Sequence, residues 1–80
     1  MSTQATVNGT PITLTAETSL LDVVASTLER RLNPDGRPVD GGRLGVAVAV
    51  DGEVVPRGSW SDRRLSGGER LEIVTAVQGG

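Results

Sequence analysis

The sequence predicts a single α+β domain, spanning residues 1–80, in which one helix crosses a mixed sheet of four to five strands. Three observations indicate this fold. The chain has 80 residues, 36% hydrophobic and 22% charged, which suits one small globular core. An Asn-Gly dipeptide joins two β-rich runs near the start, and a helical pattern follows before further β-rich runs. Trp60 is the only aromatic residue, so the core should be mainly aliphatic.

The first predicted element is a hairpin. Asn8-Gly9 lies between alternating apolar residues, which is the strongest short-range hairpin signal. It predicts two antiparallel strands, near residues 4–8 and 10–15.

The second element is an amphipathic helix over residues 19–32. Apolar residues recur at helical spacing in SLLDVVASTLERRL, and Ser19 with Asp22 forms a capping pattern. Arg30 and Arg31 would then lie in the last helical turn, where their charges complement the helix dipole.

A loop follows at residues 33–42, NPDGRPVDGG, because Asn33-Pro34 stops the helix. About ten residues is long for a connection in so small a domain. The loop is therefore either mobile or a contact for a partner, and mobility is the favoured interpretation.

The next β-rich segment contains two strands. Residues 44–50 form an uninterrupted apolar run, which predicts a strand well inside the sheet. Asp51-Gly52 predicts a tight turn, and Pro56 should cut the following strand short.

The last strand follows a turn at Gly67-Gly68 and runs through RLEIVTAVQ to within three residues of the end. In the order strand, strand, helix, strand, short strand, strand, the most economical packing is a β-grasp. In that fold the first and last strands lie side by side in the middle of the sheet.

The residue types exclude most catalytic chemistry. Cys and His are absent, and no P-loop, GxGxxG motif or paired carboxylates at a recognisable spacing occur. We therefore expect no enzyme and no metal site. The net charge of -2, with eight arginines spread along the chain and no lysine, gives no footprint for nucleic acid.

No apolar run reaches the length of a membrane span, and the first ten residues lack the basic and apolar regions of a secretory signal. The expected location is the cytoplasm.

The C-terminal Gly79-Gly80 is the remaining candidate for chemistry. Without side chains, the two residues form an arm thin enough to enter a channel that a Cβ would block. A free carboxylate is a poor electrophile, but adenylation by a partner would supply a leaving group for a sulfur or nitrogen nucleophile. The tail of residues 78–80 is expected to be flexible, with Gln78 as its hinge.

The sequence resembles the small sulfur carrier proteins of thiamine biosynthesis, the ThiS type, which belong to the ubiquitin-like β-grasp superfamily. The resemblance covers most of the chain. It rests on VNG, SLLDVV, AVDGEVVPRGSW, GGERLEIVTAV and the terminal Gly79-Gly80. The V-P-R-x-x-W stretch, Val55 to Trp60, points to thiamine carriers more than to their molybdopterin relatives.

The resemblance implies a co-substrate rather than an enzyme. An E1-like activating enzyme would use ATP to adenylate Gly80, and sulfur would replace AMP. The thiocarboxylate would then donate sulfur to a thiazole synthase, and the carrier itself would bind no cofactor. The alternatives are a thiocarboxylate carrier for molybdopterin or cysteine synthesis, and a ubiquitin-like protein modifier attached through Gly80.

In such carriers the sheet face away from the helix is a partner surface, which would include Val74 and Ala76. Trp60 is either the main core residue or part of the docking face. Two features depart from the family pattern: the 33–42 loop is longer, and Gln78 stands where a small or apolar residue is expected.

Overall fold

The computed structural model describes residues 3–75 and shows a five-stranded mixed sheet crossed by one helix. The predicted α+β fold class is confirmed. In chain order the elements are β1 Thr3–Val7, β2 Thr10–Leu14, α1 Leu20–Leu28, β3 Val46–Val50, β4 Glu53–Val54, a 3₁₀ helix Arg57–Ser59, and β5 Arg70–Thr75. The strand order across the sheet is β2-β1-β5-β3-β4, as expected for a β-grasp.

Both predicted tight turns form. Asn8 and Gly9 have φ values of 50° and 85°, and Asp51 and Gly52 have values of 51° and 85°. Two consecutive positive φ values identify the type I′ turn, whose twist matches that of the flanking strands. β1 therefore pairs antiparallel with β2, and β3 with the two-residue β4, which ends before Pro56 as expected.

The last strand occupies the middle of the sheet. β5 pairs parallel with β1 through Thr6–Arg70 and Val7–Leu71, and antiparallel with β3 along five residue pairs. The segment that leads to the C-terminus is thus held by a neighbour on each side.

The helix begins where the sequence predicts. The Ser19 side chain accepts a hydrogen bond from the Asp22 backbone N–H at 3.2 Å, and the Asp22 carboxylate accepts one from the Ser19 N–H at 3.1 Å. This reciprocal capping box satisfies two of the N–H groups that a helix start leaves unpaired.

The predicted helix end is wrong. The helix stops at Leu28 rather than at residue 32, and Glu29 takes the left-handed conformation with φ of 54°. The N–H groups of Glu29 and Arg30 bond to the carbonyls of Ser26 and Ala25, which is the Schellman pattern of helix termination. Leu32 fits the helical spacing of apolar residues because it packs against the core. It does so outside the helix, in a segment that forms an isolated β-bridge with Pro38.

Arg30 and Arg31 consequently lie beyond the helix. Arg30 binds the Asp40 carboxylate at 3.1 Å and the Arg43 carbonyl at 3.1 Å, so it connects the two ends of the loop rather than complementing the helix dipole.

The 33–42 loop is folded back on itself. Asn33 N–H bonds to the Arg37 carbonyl at 2.7 Å, and Val39 N–H bonds to the Arg31 carbonyl at 2.9 Å. Gly36 is buried so closely against Arg57 that a Cβ at this position would collide with the Arg57 side chain. These contacts give the loop a defined conformation, and its mobility stays a prediction.

The core lies between the sheet and α1. Its most buried side chains are Leu20, Val24, Val48, Trp60 and Leu71. Alternation places one face of β1, β3 and β5 against the helix, while the other face is outward. Among residues 3–75, no helix is long and apolar enough to cross a membrane.

Candidate functional site

Turn residues of both hairpins bind the central strand. The Asn8 side chain donates to the Ile73 carbonyl at 3.2 Å and accepts from the Ile73 N–H at 2.9 Å. The Asp51 carboxylate accepts from the Arg70 N–H at 2.8 Å, and the Arg70 carbonyl accepts from the Asp51 N–H at 2.7 Å. The two turns therefore hold β5 from opposite sides, a role that the local turn signal did not reveal.

The strand that precedes the tail is described as far as Thr75, whose Cα partner in β3 is Val46. The predicted site residues Ala76, Gln78, Gly79 and Gly80 lie outside the described residues. The structure establishes that the segment leading to them is a central strand, anchored through Asn8, Asp51 and two neighbouring strands.

Val74 lies on the outward face of the sheet, and its side chain is 59% exposed. Leu71 is buried and Ile73 is half-buried on the helix side, which agrees with the predicted alternation. The predicted companion of Val74 on this face, Ala76, is not among the described residues.

Three further apolar residues share the outward face with Val74. Ala47 is the direct cross-strand partner of Val74, and Ala49 is the partner of Val54, whose side chain is 69% exposed. We call Ala47, Ala49, Val54 and Val74 the outer patch. The sequence analysis did not include the other three residues because only strand register places them beside Val74.

The outer patch borders polar residues on one side. Glu72 is the cross-strand partner of Ala49, and Arg70 is the partner of Thr6 on β1. Both charged residues are exposed. Apolar residues rimmed by polar ones on a sheet face are typical of a surface that binds a protein.

Trp60 is a core residue. Its side chain is 1% exposed, and its indole N–H donates a hydrogen bond to the Val55 carbonyl at 3.0 Å. The docking alternative is therefore excluded for this residue.

The segment around Trp60 also completes the helix start. The carbonyl of Trp60 accepts from the Leu21 N–H at 3.1 Å, and that of Arg63 accepts from the Leu20 N–H at 2.8 Å. Pro56, which lacks an N–H, ends β4 and leads into the 3₁₀ helix that brings Trp60 under the sheet. The V-P-R-x-x-W stretch thus has a structural role.

The acidic side chains of the described residues are spread apart rather than gathered into a metal site. No group of three or more His, Cys, Asp or Glu that could hold a metal ion occurs within residues 3–75. Hydrogen bonding from the Gly42 N–H, assisted by the Arg30 guanidinium, holds the pKa of Asp40 below its usual value. This carboxylate is exposed and acts as a loop contact.

Comparison with known proteins identifies the family of this chain. The model of the ThiS family matches residues 5–80, nearly the whole chain. The chain belongs to the ThiS family.

A solved structure agrees with this assignment. The crystal structure of the thiamine biosynthesis protein ThiS from Geobacter metallireducens superposes on the chain with a TM-score of 0.62 and 27% sequence identity. The match covers 96% of this chain and 99% of the other. A search of curated protein sequences gives no match. ThiS proteins are small sulfur carriers rather than enzymes, and the resemblance read from the sequence is confirmed.

Proposed function

We propose that this ThiS-family protein carries sulfur for the thiazole ring of thiamine as a thiocarboxylate on Gly80. The observation that carries the proposal is the family match, which extends through the terminal Gly79-Gly80. The fold supports it, because β5 leads to these residues from the centre of the sheet. The similarity to a protein of thiamine biosynthesis favours thiamine over molybdopterin or cysteine synthesis.

The proposed chemistry has two steps. In the first, a carboxylate oxygen of Gly80 attacks the α-phosphorus of ATP in an activating enzyme and releases pyrophosphate. In the second, the terminal sulfur of a persulfide on a partner cysteine attacks the acyl carbon, and AMP leaves with one of the carboxylate oxygens. A second thiol then cleaves the S–S bond: it forms a disulfide with the donor cysteine and leaves the thiocarboxylate on Gly80. Partner enzymes supply every base and the sulfur nucleophile, since this chain contains no Cys or His.

The outer patch is the proposed contact for these partners. Val74, predicted to bind partners together with Ala76, lies on β5, and Ala47 and Val54 extend the apolar area around Val74. The proposed docking surface lies on the strand that leads to the tail, so few freely rotating bonds separate it from Gly79-Gly80. Docking there would place the two glycines in the enzyme's channel at a low cost in conformational entropy. The cytoplasm is the proposed compartment.

Intact-mass measurement tests the proposal. The purified chain is incubated with ATP, a sulfur source and the activating enzyme from the same genome. The expected result is a mass increase equal to the difference between a sulfur and an oxygen atom, absent from a chain that lacks Gly80. An unchanged mass with an enzyme that consumes ATP on a control carrier would contradict the proposal.

A second assay identifies the acceptor. The isolated thiocarboxylate is offered to a thiazole synthase and to a molybdopterin synthase. Sulfur transfer to the thiazole synthase is expected, whereas transfer only to the molybdopterin enzyme would place the protein in that pathway with the same tail chemistry.

A further inference from the structure

The outer edge of β3 is covered along only part of its length. β4 contributes two residue pairs, Val54 with Ala49 and Glu53 with Val50. One more backbone hydrogen bond follows, from the Val55 N–H to the Val48 carbonyl at 2.9 Å. Pro56 then has no N–H to donate, and the chain turns away into the 3₁₀ helix.

Val46 lies on the uncovered part of this edge. In an antiparallel strand, alternate residues direct both their N–H and C=O groups to the same side. The Val48 carbonyl accepts a hydrogen bond from Val55 on the β4 side, so the N–H and C=O groups of Val46 also point to that side. Those of Ala47 point the other way, to β5. Within residues 3–75, no strand pairs with Val46 on that side, which leaves one donor and one acceptor for an added strand.

A groove of about 530 Å³ lies beside this edge. Val46, Val54, Val55 and Trp60 are among the residues that line it. A side chain from a strand added to β3 would therefore enter an apolar environment.

Two arginines give the groove a positive charge. Arg37 extends from the 33–42 loop and Arg57 from the 3₁₀ helix, and both line the groove. Among the described residues Arg57 forms no ion pair, and Arg37 approaches only Asp35, at 3.8 Å with both side chains largely exposed. With Asp35 counted, the groove keeps a net charge of +1 (two arginines minus one aspartate).

We propose that the open edge of β3 binds an extended acidic segment of a partner protein as an additional strand. The backbone of the segment bonds to Val46, an apolar side chain enters the groove, and a carboxylate binds Arg37 and Arg57. A second copy of this chain fits less well, because edge pairing of two copies would bring two positively charged grooves together. The groove shares Ala47 and Val54 with the outer patch. Arg37, Arg57 and Val46 do not belong to that patch and take no part in the tail chemistry.

A peptide titration tests the proposal. The probe is acetyl-Asp-Val-Ile-Val-Asp-amide, added to the ¹⁵N-labelled chain and followed by NMR. The largest shift changes and slowed amide exchange are expected at Val46 and its strand neighbours. The same peptide methylated on its backbone nitrogens, which cannot donate to a strand edge, should not bind.

Charge substitutions separate the acidic preference from simple strand addition. Arg37→Gln and Arg57→Gln should each weaken peptide binding by about two- to fivefold, the size of an exposed ion pair. Arg70→Gln is the matched control, because Arg70 lies on the outward face away from the groove, and it should bind normally. Arg57 packs against Gly36, so its substitution could change the 33–42 loop. A peptide with Lys in place of both Asp residues then tests the acidic preference on the unsubstituted protein.

Three outcomes would overturn the proposal. Shift changes confined to Glu72 and Val74 on β5 would place the peptide elsewhere. Equal binding of the Lys peptide would remove the acidic preference. Concentration-dependent dimerisation that alters the Val46 amide without peptide would make a second copy the occupant. The sulfur-transfer assays do not depend on any of these results.

Discussion

The indole N–H of Trp60 donates a hydrogen bond to the carbonyl oxygen of Val55 at 3.0 Å, within the segment that carries the family resemblance. The contact joins the core to the point where β4 ends. Because the carbonyl of Trp60 also accepts from the helix start, one residue connects the sheet edge, the core and α1.

Truncation of Trp60 should therefore be the most damaging single change in the core. Trp60→Ala removes the largest fully buried side chain and leaves the Val55 carbonyl without its donor. We expect a loss of about 3–5 kcal/mol in the free energy of unfolding, a large part of the total for a domain of this size. Urea unfolding followed by circular dichroism measures it. Val54→Ala, at an exposed position, is the control and should lose less than about 0.5 kcal/mol.

The end of α1 predicts a stabilising substitution. Glu29 has φ of 54°, which costs a non-glycine residue about 1–2 kcal/mol, whereas Gly adopts this conformation freely. Part of the gain is offset by the greater freedom of Gly in the unfolded chain. Glu29→Gly should therefore raise the free energy of unfolding by about 0.5–1 kcal/mol. Thr27→Gly, inside the helix, should lower the free energy of unfolding by about 0.5 kcal/mol. A lower free energy of unfolding for both variants would contradict the assignment of the helix end.

The loop contact of Asp40 predicts a local pH dependence. The Gly42 amide and Arg30 hold the pKa of Asp40 below its usual value, so the contact is present at neutral pH and is lost as the pH falls through the lowered pKa. The Gly42 amide shift in an NMR titration should have a midpoint below that of an ordinary aspartate. In Arg30→Gln the midpoint should move upward, and a midpoint at the ordinary value in the unsubstituted chain would show that the contact is not formed in solution.

The outer patch predicts a docking defect without a folding defect. Val74→Asp introduces a charge into the apolar area next to Ala47, and its exposed side chain contributes little to the core. We expect the rate of thiocarboxylate formation to fall at least about tenfold, as for a central interface residue, with an unchanged melting temperature. Thr13→Asp is the matched control, since Thr13 is also outward and exposed but lies on β2 at the other side of the sheet. Equal rates for the two variants would exclude the patch as the docking surface.

The terminal glycines predict a steric effect. In the proposed function, Gly79 passes through a narrow channel of the activating enzyme, and a methyl group there would obstruct it. Gly79→Ala should reduce the rate of adenylation, measured as pyrophosphate release, by at least about tenfold, equivalent to 1.4 kcal/mol. Gly58→Ala is the control, because a Cβ at that position would meet nothing within 4 Å. A normal rate for Gly79→Ala would contradict the channel.

Local patterns in the sequence were sufficient for the parts of the fold that depend on neighbouring residues. Asn8-Gly9 and Asp51-Gly52 predicted their turns because few residue pairs adopt two positive φ values. Ser19 and Asp22 predicted the helix start for a similar reason, since both capping bonds span three residues. Strand alternation placed Val74 on the outward face.

Contacts between distant parts of the chain determined the rest. The helix end was missed because Leu32 keeps helical spacing while packing on the core from a bridge with Pro38. The outer patch required the register between β3 and β5, which brings Ala47 beside Val74. The sequence left open whether Trp60 belongs to the core or to the docking face, because the burial of a side chain depends on which distant segments surround it.

The sequence alone therefore determined the fold class, the turns, the helix start and the family. Each of these depends on short-range backbone preferences or on motifs that can be recognised in the linear sequence. Only the tertiary structure decided that Asn8 holds Ile73, 65 residues away, and that no strand within residues 3–75 pairs with Val46 on the β4 side. The physical reason is that such contacts depend on which strands become neighbours, and no local pattern carries that information.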